Sequence, residues 1–377
     1  MTDGINATPK HKDASLLSRC LKNPLLWGIA TLAAVFLSCS AAVSHVEFYS
    51  AADVIQSLCL LARWCVASIF DPSALPDLGA QAAALGPYYE VRTRLLISLL
   101  TVGCGVLLAV SGSVYQLVFK NPLAAPTMLG VSNGVQIGVL ILVLQFGGAA
   151  VFMNSTRYLY CFIGAVAILV FVLVVTKLIC GRGSFSVYTM LLVAAIFSQI
   201  FGSISGYILS SVFDDDTLIV YQEILQVMDV AVEPLTFAIL AIALAAAVVP
   251  MFALSFSMNT LSFAKEEANL MGISQNALRA VSLTLATVMI IAAEVLVGTV
   301  SMVALVVPFI SRAFFGAEFS NQLKGDLVIA PLVLLICRFI ADSIPFVGLG
   351  VPIGVVVNFV LLPFFAIIVA GRYRTWE

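Results

Sequence analysis

Few side chains in this chain are of a kind, and in a place, to do chemistry, and Glu294 is the foremost of them. It lies deep in an apolar run from Ala280 to Ile310, where an ionised carboxylate surrounded by lipid costs roughly 2.5 to 3.5 kcal/mol. Such a group is paired, hydrated or protonated. Three roles are therefore open to it: partner of a neighbouring helix, wall residue of a polar pathway, or coupling site of a secondary transporter driven by an ion gradient. The last demands uptake by this chain alone that is lost on Glu294→Gln. Other chemistry finds little to work with. The two histidines, His11 and His45, are far apart, and no Cys/His cluster has metal-ligand spacing, so no metal site is expected. Five of the eight cysteines, Cys39, Cys104, Cys161, Cys180 and Cys337, fall in or at the ends of apolar runs, where a thiol behaves as a small apolar side chain. Cys59 and Cys65 bridge only if the chain bends back between them. There is no G-x-x-x-x-G-K-S/T phosphate loop, no H-E-x-x-H and no nucleophile elbow. No catalytic residue, cofactor or nucleic-acid partner is expected. If transport is ATP-driven, ATP and Mg are held by another polypeptide.

The elements that must position these residues follow from composition. With 62% hydrophobic and 10% charged residues, the chain carries more apolar surface than a soluble core of this size buries, so lipid is the solvent for much of it. Apolar runs of the roughly 20 residues that cross a bilayer core fall near 25–45, 95–119, 126–147, 159–180, 188–212, 234–256, 327–345 and 352–370. The run from Ala280 to Ile310, about 30 residues, is too long for one upright helix, and Gly298-Thr299 offers a break. The sequence thus predicts an all-α polytopic membrane protein with about ten transmembrane helices. The distribution of basic residues agrees. With ten spans and both termini inside, thirteen Lys and Arg fall in the cytoplasm and five, Arg63, Arg92, Arg94, Arg157 and Arg338, fall outside, as the positive-inside rule requires.

The predicted organisation is a cytoplasmic tail over 1–24, a transmembrane domain over 25–371 and a cytoplasmic tail over 372–377. Residues 46–92 form the longest outer segment, and its stretch Val54 to Phe70, interrupted by Arg63, reads as an amphipathic helix at the outer interface. Between the second and third spans, Asn121-Pro-Leu-Ala-Ala-Pro-Thr-Met-Leu-Gly-Val-Ser-Asn-Gly134 is too rich in Gly and Pro to continue either, and reads as a shaped helix-to-helix corner. Residues 259–279 form a long inner segment. Its core, Phe263 to Met271, favours helix, with Glu266 and Glu267 near the start, where they complement the helix dipole, and Gly272 placed as a C-cap. It reads as a surface helix, either an ordinary connector or a docking element for a separate ATPase.

Taken together, the motifs resemble the FecCD-type permease subunits of ABC importers for iron-siderophores, haem and cobalamin. The resemblance rests on Leu107-Leu-Ala-Val-Ser-Gly112 with Gln116, Asn121-Pro-Leu-Ala-Ala-Pro, Leu129-Gly-Val-Ser-Asn-Gly, Leu261-Ser-Phe-Ala-Lys-Glu-Glu-Ala, Val297-Gly-Thr-Val-Ser-Met-Val-Ala-Leu-Val-Val-Pro308 with Arg312, Val351-Pro-Ile-Gly354 and Leu362-Pro-Phe-Phe365. Each is weak alone; their order and spacing are not. Asn121, Pro122, Gly130, Gly298 and Pro308 are the structural positions of these motifs.

The resemblance implies a type II importer permease fold in a bacterial cytoplasmic membrane. It implies a dimer with a second permease subunit, identical or related, two cytoplasmic ATPase subunits, and an extracellular or periplasmic substrate-binding protein. It also implies that residues 261–274 are the coupling helix, with Ala264, Glu266, Glu267, Ala268 and Gly272 at the ATPase. The fifth and tenth spans of such permeases line the pathway, which here points to Ser198, Gln199, Ser203 and Asn358, with Glu294 as a further candidate. Arg92 and Arg94 stand near the place of an Arg-x-Pro-Arg pattern that meets acidic residues of the binding protein, but without the proline, and both are expected to project outward. Three positions depart from the family, with Ser301, Ala304 and Phe309 where two glycines and a histidine are common. Arg338 and Asp342 keep an i,i+4 ion pair of the family with its signs exchanged. By family frequency the cargo is an iron-siderophore first, haem second, cobalamin third.

Overall fold

The computed structural model describes residues 24–40, 49–70, 88–147, 150, 154–181, 187–214, 217, 221, 233–262, 273–343, 351 and 353–373. Among these the regular structure is helical throughout. In chain order the helices are α1 (Pro24–Ser40), α2 (Ala51–Phe70), α3 (Tyr88–Val118), α4 (Val131–Phe146), α5 (Asn154–Cys180), α6 (Val187–Ser211), α7 (Pro234–Asn259), α8 (Gln275–Val297), α9 (Ser301–Phe315), α10 (Phe319–Ser343) and α11 (Ile353–Tyr373). Five, α3 and α5 to α8, are long and apolar enough to cross a membrane, and α1, α4, α9 and α11 contain shorter apolar stretches. With α10, which carries Lys324, Asp326, Arg338 and Asp342, they make up the ten expected spans. Helix α2, within the stretch 46–92, is amphipathic. It buries Val54, Ser57 and Leu60 on one side and exposes Ile55, Gln56, Cys59 and Arg63 on the other. Cys59 is a free, exposed thiol.

Helix α3 is the post around which the rest is built. Every residue from Gly103 to Gln116 is buried, and the helix touches α1, α2, α7, α8, α9 and α10. A helix apolar all round belongs in the middle of a bundle, and lipid cannot substitute for the close backbone approach that its small residues permit. A Cβ at Gly112 would collide with the backbone of Ala304 in α9, so α9 crosses α3 in direct contact. The outer helices behave oppositely: Leu159, Phe162, Ile163 and Leu178 on α5 are exposed, as suits a face turned to lipid, and α6 leaves Leu192, Ile196 and Tyr207 exposed.

Two interruptions shape the bundle. Within α7, Leu244–Val248 adopts a π-helical turn immediately before Val249-Pro250. Proline has no N–H and its ring crowds the carbonyl four residues back, and the wider turn relieves both. Between α8 and α9 the chain breaks at Gly298, with φ 81° and ψ −169°, a conformation that side chains with a Cβ rarely adopt. The run from Ala280 to Ile310 is thus two helices, as its length predicts.

Helix ends lie furthest from the apolar boundaries in two places. Helix α3 begins at Tyr88, seven residues before the apolar run, and α10 at Phe319, eight before. The added turns hold charged residues, Arg94 and Asp326, that are buried against polar partners inside the protein and so leave no apolar signal.

Candidate functional site

The Gly/Pro corner is built one hydrogen bond at a time. Helix α3 ends in a Schellman arrangement in which Lys120 N–H donates to the Leu117 carbonyl and Asn121 N–H to the Gln116 carbonyl, both at 3.2 Å. The left-handed position falls on Lys120, with φ 50°, where glycine is the usual occupant. Pro122 then bars further helix, and Asn121 turns the chain by accepting from Leu123 N–H at 2.9 Å. Pro126 opens a 3-10 turn over Pro126–Leu129, and Gly130, at φ 78° and ψ 11°, ends that turn and caps α4. A Cβ there would come within 3.2 Å of Ser198 and Ile168, so Gly130 is required by contact as well as by φ.

Glu294 lies at the start of α4. It is 1% exposed, and Ser132, the second residue of α4, donates to its Oε1 at 2.5 Å. The N-terminal end of a helix favours negative charge, so the corner supplies the partner that a carboxylate at this depth needs. Of the three roles open to Glu294 from the sequence, the geometry matches the partner of a neighbouring helix. It is closed within the packing and does not stand on an open wall. Asn133 Nδ2 donates to the Ser198 carbonyl at 3.2 Å, tying the same corner to α6.

The stretches that carry the family resemblance converge. Arg312 on α9 donates to Gln116 Oε1 on α3, and Gln116 Nε2 donates to the Leu305 carbonyl at 2.9 Å. Gly354 at the start of α11 faces the break, where an added Cβ would come within 2.6 Å of the Thr299 carbonyl. Pro308, inside α9, is buried beside this junction. Next to it is a cluster that no local pattern announces: Ser113 on α3 donates to Asp326 on α10, and Gln322 Nε2 donates to Ser113 Oγ at 2.7 Å. All three residues are buried. Asp326 was hidden by its position just before an apolar run, where acids ordinarily mark a loop; a helical reading of Phe319 to Gly325 would have found it.

At the inner end, the chain leaves α7 and returns to α8 at one point. Gln275 Nε2 donates to the Thr260 carbonyl at 3.0 Å, and Asn259 Oδ1 accepts from Phe319 N–H, the first residue of α10, at 2.8 Å. Ser274 caps α8. The coupling candidates Ala264, Glu266, Glu267, Ala268 and Gly272 lie outside the described residues.

At the outer end, Arg92 is exposed, whereas Arg94 is 5% exposed and donates to Asp342 on α10. Arg338 contacts the same carboxylate at 3.0 Å. Two guanidinium groups therefore share one carboxylate between α3 and α10. Of the two arginines expected to project outward, Arg92 is exposed, whereas Arg94 is occupied in packing because Asp342, 248 residues away in sequence, lies beside it. Nearby, Tyr49 donates to Glu90 in the first turn of α3, and this bond, with some burial, pushes the Tyr49 phenol from 10.0 up to about 12.

Of the remaining pathway candidates, Gln199, Ser203 and Asn358 are exposed and Ser198 is half-buried against the corner. Ser203 satisfies its hydroxyl on its own helix, donating to the Gln199 carbonyl at 2.9 Å. Helix α6 packs on α4 and α5, and α11 on α9 and α10. Among the described residues no group of three His, Cys, Asp or Glu is arranged to hold a metal ion.

Residues 79–371 match the FecCD transport family. The chain is 27% identical over 277 residues to the "Probable iron chelatin transport system permease protein" of Helicobacter pylori, covering 73% of this chain and 80% of the relative. It is 27% identical over 283 residues to the hemin transport system permease protein of Yersinia pestis, covering 74% and 81%. Among solved structures, an inward-facing metal-chelate type ABC transporter superposes with a TM-score of 0.64 at 21% identity, covering 74% of this chain and 86% of the other; at that identity the likeness concerns the fold. With the family match extending over most of its length, this chain belongs to the FecCD transport family, the permease subunits of ABC transporters.

Proposed function

We propose that this chain is one half of the transmembrane pathway of an ATP-driven importer. It accepts an iron chelate from an external binding protein and releases it to the cytoplasm. An iron-siderophore is the first choice of cargo, haem the second and cobalamin the third. The chain hydrolyses nothing and holds no cofactor; ATP and Mg reside on two cytoplasmic ATPase subunits. A second permease subunit completes the pathway, bringing the exposed polar faces of α6 and α11, with Gln199, Ser203 and Asn358, to a shared axis. Both termini are cytoplasmic, with tails over 1–24 and 372–377 flanking the permease domain, because this orientation puts Lys120, Lys177, Arg279, Arg312 and Lys324 inside.

The observation that carries the reading is the pinned base of the inner segment. Thr260 is tied to Gln275, and Asn259 to Phe319, so a push on residues 261–274 is delivered to α7, α8 and α10 together. From α10 it reaches α3 through Gln322, Ser113 and Asp326. A segment joined to the bundle by a loose loop would dissipate the same push.

The test is association with the ATPase. The wild-type chain should co-purify with its cognate ATPase subunit and alter its rate of hydrolysis, and a Glu266→Lys/Glu267→Lys variant should lose both while remaining a monodisperse, folded membrane protein. Retention of both by the variant would remove coupling from residues 261–274.

A further inference from the structure

We propose that the inner half of the bundle carries a site for one anionic glycerophospholipid of the cytoplasmic leaflet, with an acyl chain in a groove between α5 and α8 and the phosphate among Lys120, Lys177 and Arg279. The groove encloses about 500 Å³ between the inner end of α3, the 3-10 turn, α5, the start of α6, and α8. Along α8 its lining runs from Ala280 to Ile291, and along α5 from Phe162 to Leu173. Eleven residues of helix rise about 16 Å, roughly half of the 30 Å hydrocarbon core, which is the depth of a single leaflet. The cavity is thus as long as one acyl chain is deep.

Its walls ask for hydrocarbon. The few polar groups that line it are already satisfied: Thr287 donates to the Leu283 carbonyl at 2.7 Å and shares a hydrogen bond with the Tyr115 hydroxyl at 2.7 Å, and Thr284 donates to the Ala280 carbonyl at 2.9 Å. The surrounding face is of the lipid-facing kind, with Phe162 and Val288 exposed. An apolar groove of this size left without contents forfeits dispersion contacts of its lining.

The inner end asks for negative charge. Phe119 and Ala280 line that end, and the residues next to them in the chain are Lys120 and Arg279. Lys177 follows the lining residue Leu173 by four, on the same face of α5. Lys120 and Lys177 are exposed, and the Arg279 Nε is buried with no hydrogen-bond partner. Helix α5 contains no acidic residue, and the only acids of α3 and α8 are Glu90 and Glu294, far from this end. Basic side chains at a membrane surface contribute about 1 kcal/mol each toward anionic lipid. An apolar slot one leaflet deep, with three basic residues adjoining its lining at one end, matches the two parts of an anionic phospholipid, whereas a soluble anion would use the cations and leave the slot empty. Only the choice of leaflet rests on the orientation given under the proposed function.

Native mass spectrometry of the full chain, released from detergent after exchange with dioleoyl phosphatidylglycerol or dioleoyl phosphatidylcholine, tests this. One phosphatidylglycerol per chain should survive, in preference to phosphatidylcholine. Lys120→Gln/Lys177→Gln should weaken that adduct about 30-fold, about fivefold per charge removed. Thr284→Trp, which fills the groove and changes no charge, should weaken it as well. Both sites are exposed, and circular dichroism of each variant matching wild type keeps the comparison valid. Equal retention of the two lipids overturns the proposal. So does an adduct indifferent to Thr284→Trp, and so does loss of self-association in that variant with the adduct intact, which would make the groove a contact between copies. The measurement needs neither ATPase nor cargo, so its failure leaves the transport reading untouched, and the reverse holds too.

Discussion

Replacing Asp342 by alanine removes the carboxylate that Arg94 and Arg338 share, and takes from the buried Arg94 its ion-pair partner between α3 and α10. The Arg338 contact is 3.0 Å long; at an effective dielectric near 20 that separation corresponds to about 5 to 6 kcal/mol of attraction before any desolvation cost. Desolvation offsets much of it while the cluster is intact, but breaking a buried pair by deleting one partner costs about 3 to 5 kcal/mol, since the charge left behind stays uncompensated. The Asp342 side chain keeps 13% of its surface exposed against 6% for each arginine, so water relieves part of the loss and the lower end, about 3 kcal/mol, is expected. For a chain of this size that is a fall in melting temperature of about 4 °C, read by circular dichroism in detergent at one fixed heating rate. The control is Arg94→Met/Arg338→Met/Asp342→Leu, which removes the whole charge set and should lie within about 1 kcal/mol of wild type, because apolar residues of similar volume replace buried ion pairs at little cost. An Asp342→Ala protein as stable as wild type would refute the reasoning. It would mean that the carboxylate is hydrated and that α3 and α10 are joined by packing alone.

Three further outcomes follow from the same geometry. Gly298→Val forces a β-branched residue to φ 81°, a cost of at least 1 to 2 kcal/mol, and should lower the melting temperature and shift the α8–α9 junction as seen by limited proteolysis. Glu294→Gln keeps an oxygen to accept from Ser132 and should transport within a few-fold of wild type, whereas Glu294→Leu strands the Ser132 hydroxyl and should destabilise by about 1 to 3 kcal/mol; abolished ATP-dependent uptake with Glu294→Gln would give the carboxylate an active role. Arg92→Glu should weaken capture of the binding protein, with a loss that shrinks in high salt, whereas Arg94→Gln should act chiefly on stability; equal binding defects in surface plasmon resonance would contradict the division between them.

What was legible in the sequence is what the bilayer dictates. In lipid a helix satisfies its backbone groups internally, so apolar length was enough to find the ten helices that the apolar runs correspond to, and a 30-residue run with an internal glycine was enough to find the break at Gly298. Interior charge was not legible. Arg94 reads as an outward anchor until Asp342 is brought beside it, and Asp326 reads as a loop acid until Ser113 and Gln322 enclose it. Pairings of that kind depend on which helices are neighbours, and local pattern carries no record of it. Gln116 and Arg312 are intermediate. Their types and positions belonged to recognisable motifs, but only the crossing of α3 and α9 makes them partners. The inner segment over 259–279 reads as a connector or a docking helix, and the bonds from Gln275 and Phe319 that pin its two ends were not foreseen.

The central claim is that this chain is a passive path whose direction and energy come from a separate ATPase. Uptake of a labelled iron-siderophore into liposomes, with the chain reconstituted together with its cognate ATPase and binding protein or alone, tests it most directly. Uptake should require ATP inside the ATPase-bearing compartment and be absent from the chain alone with or without an ion gradient. Uptake by the chain alone under a proton gradient would contradict it and return attention to Glu294.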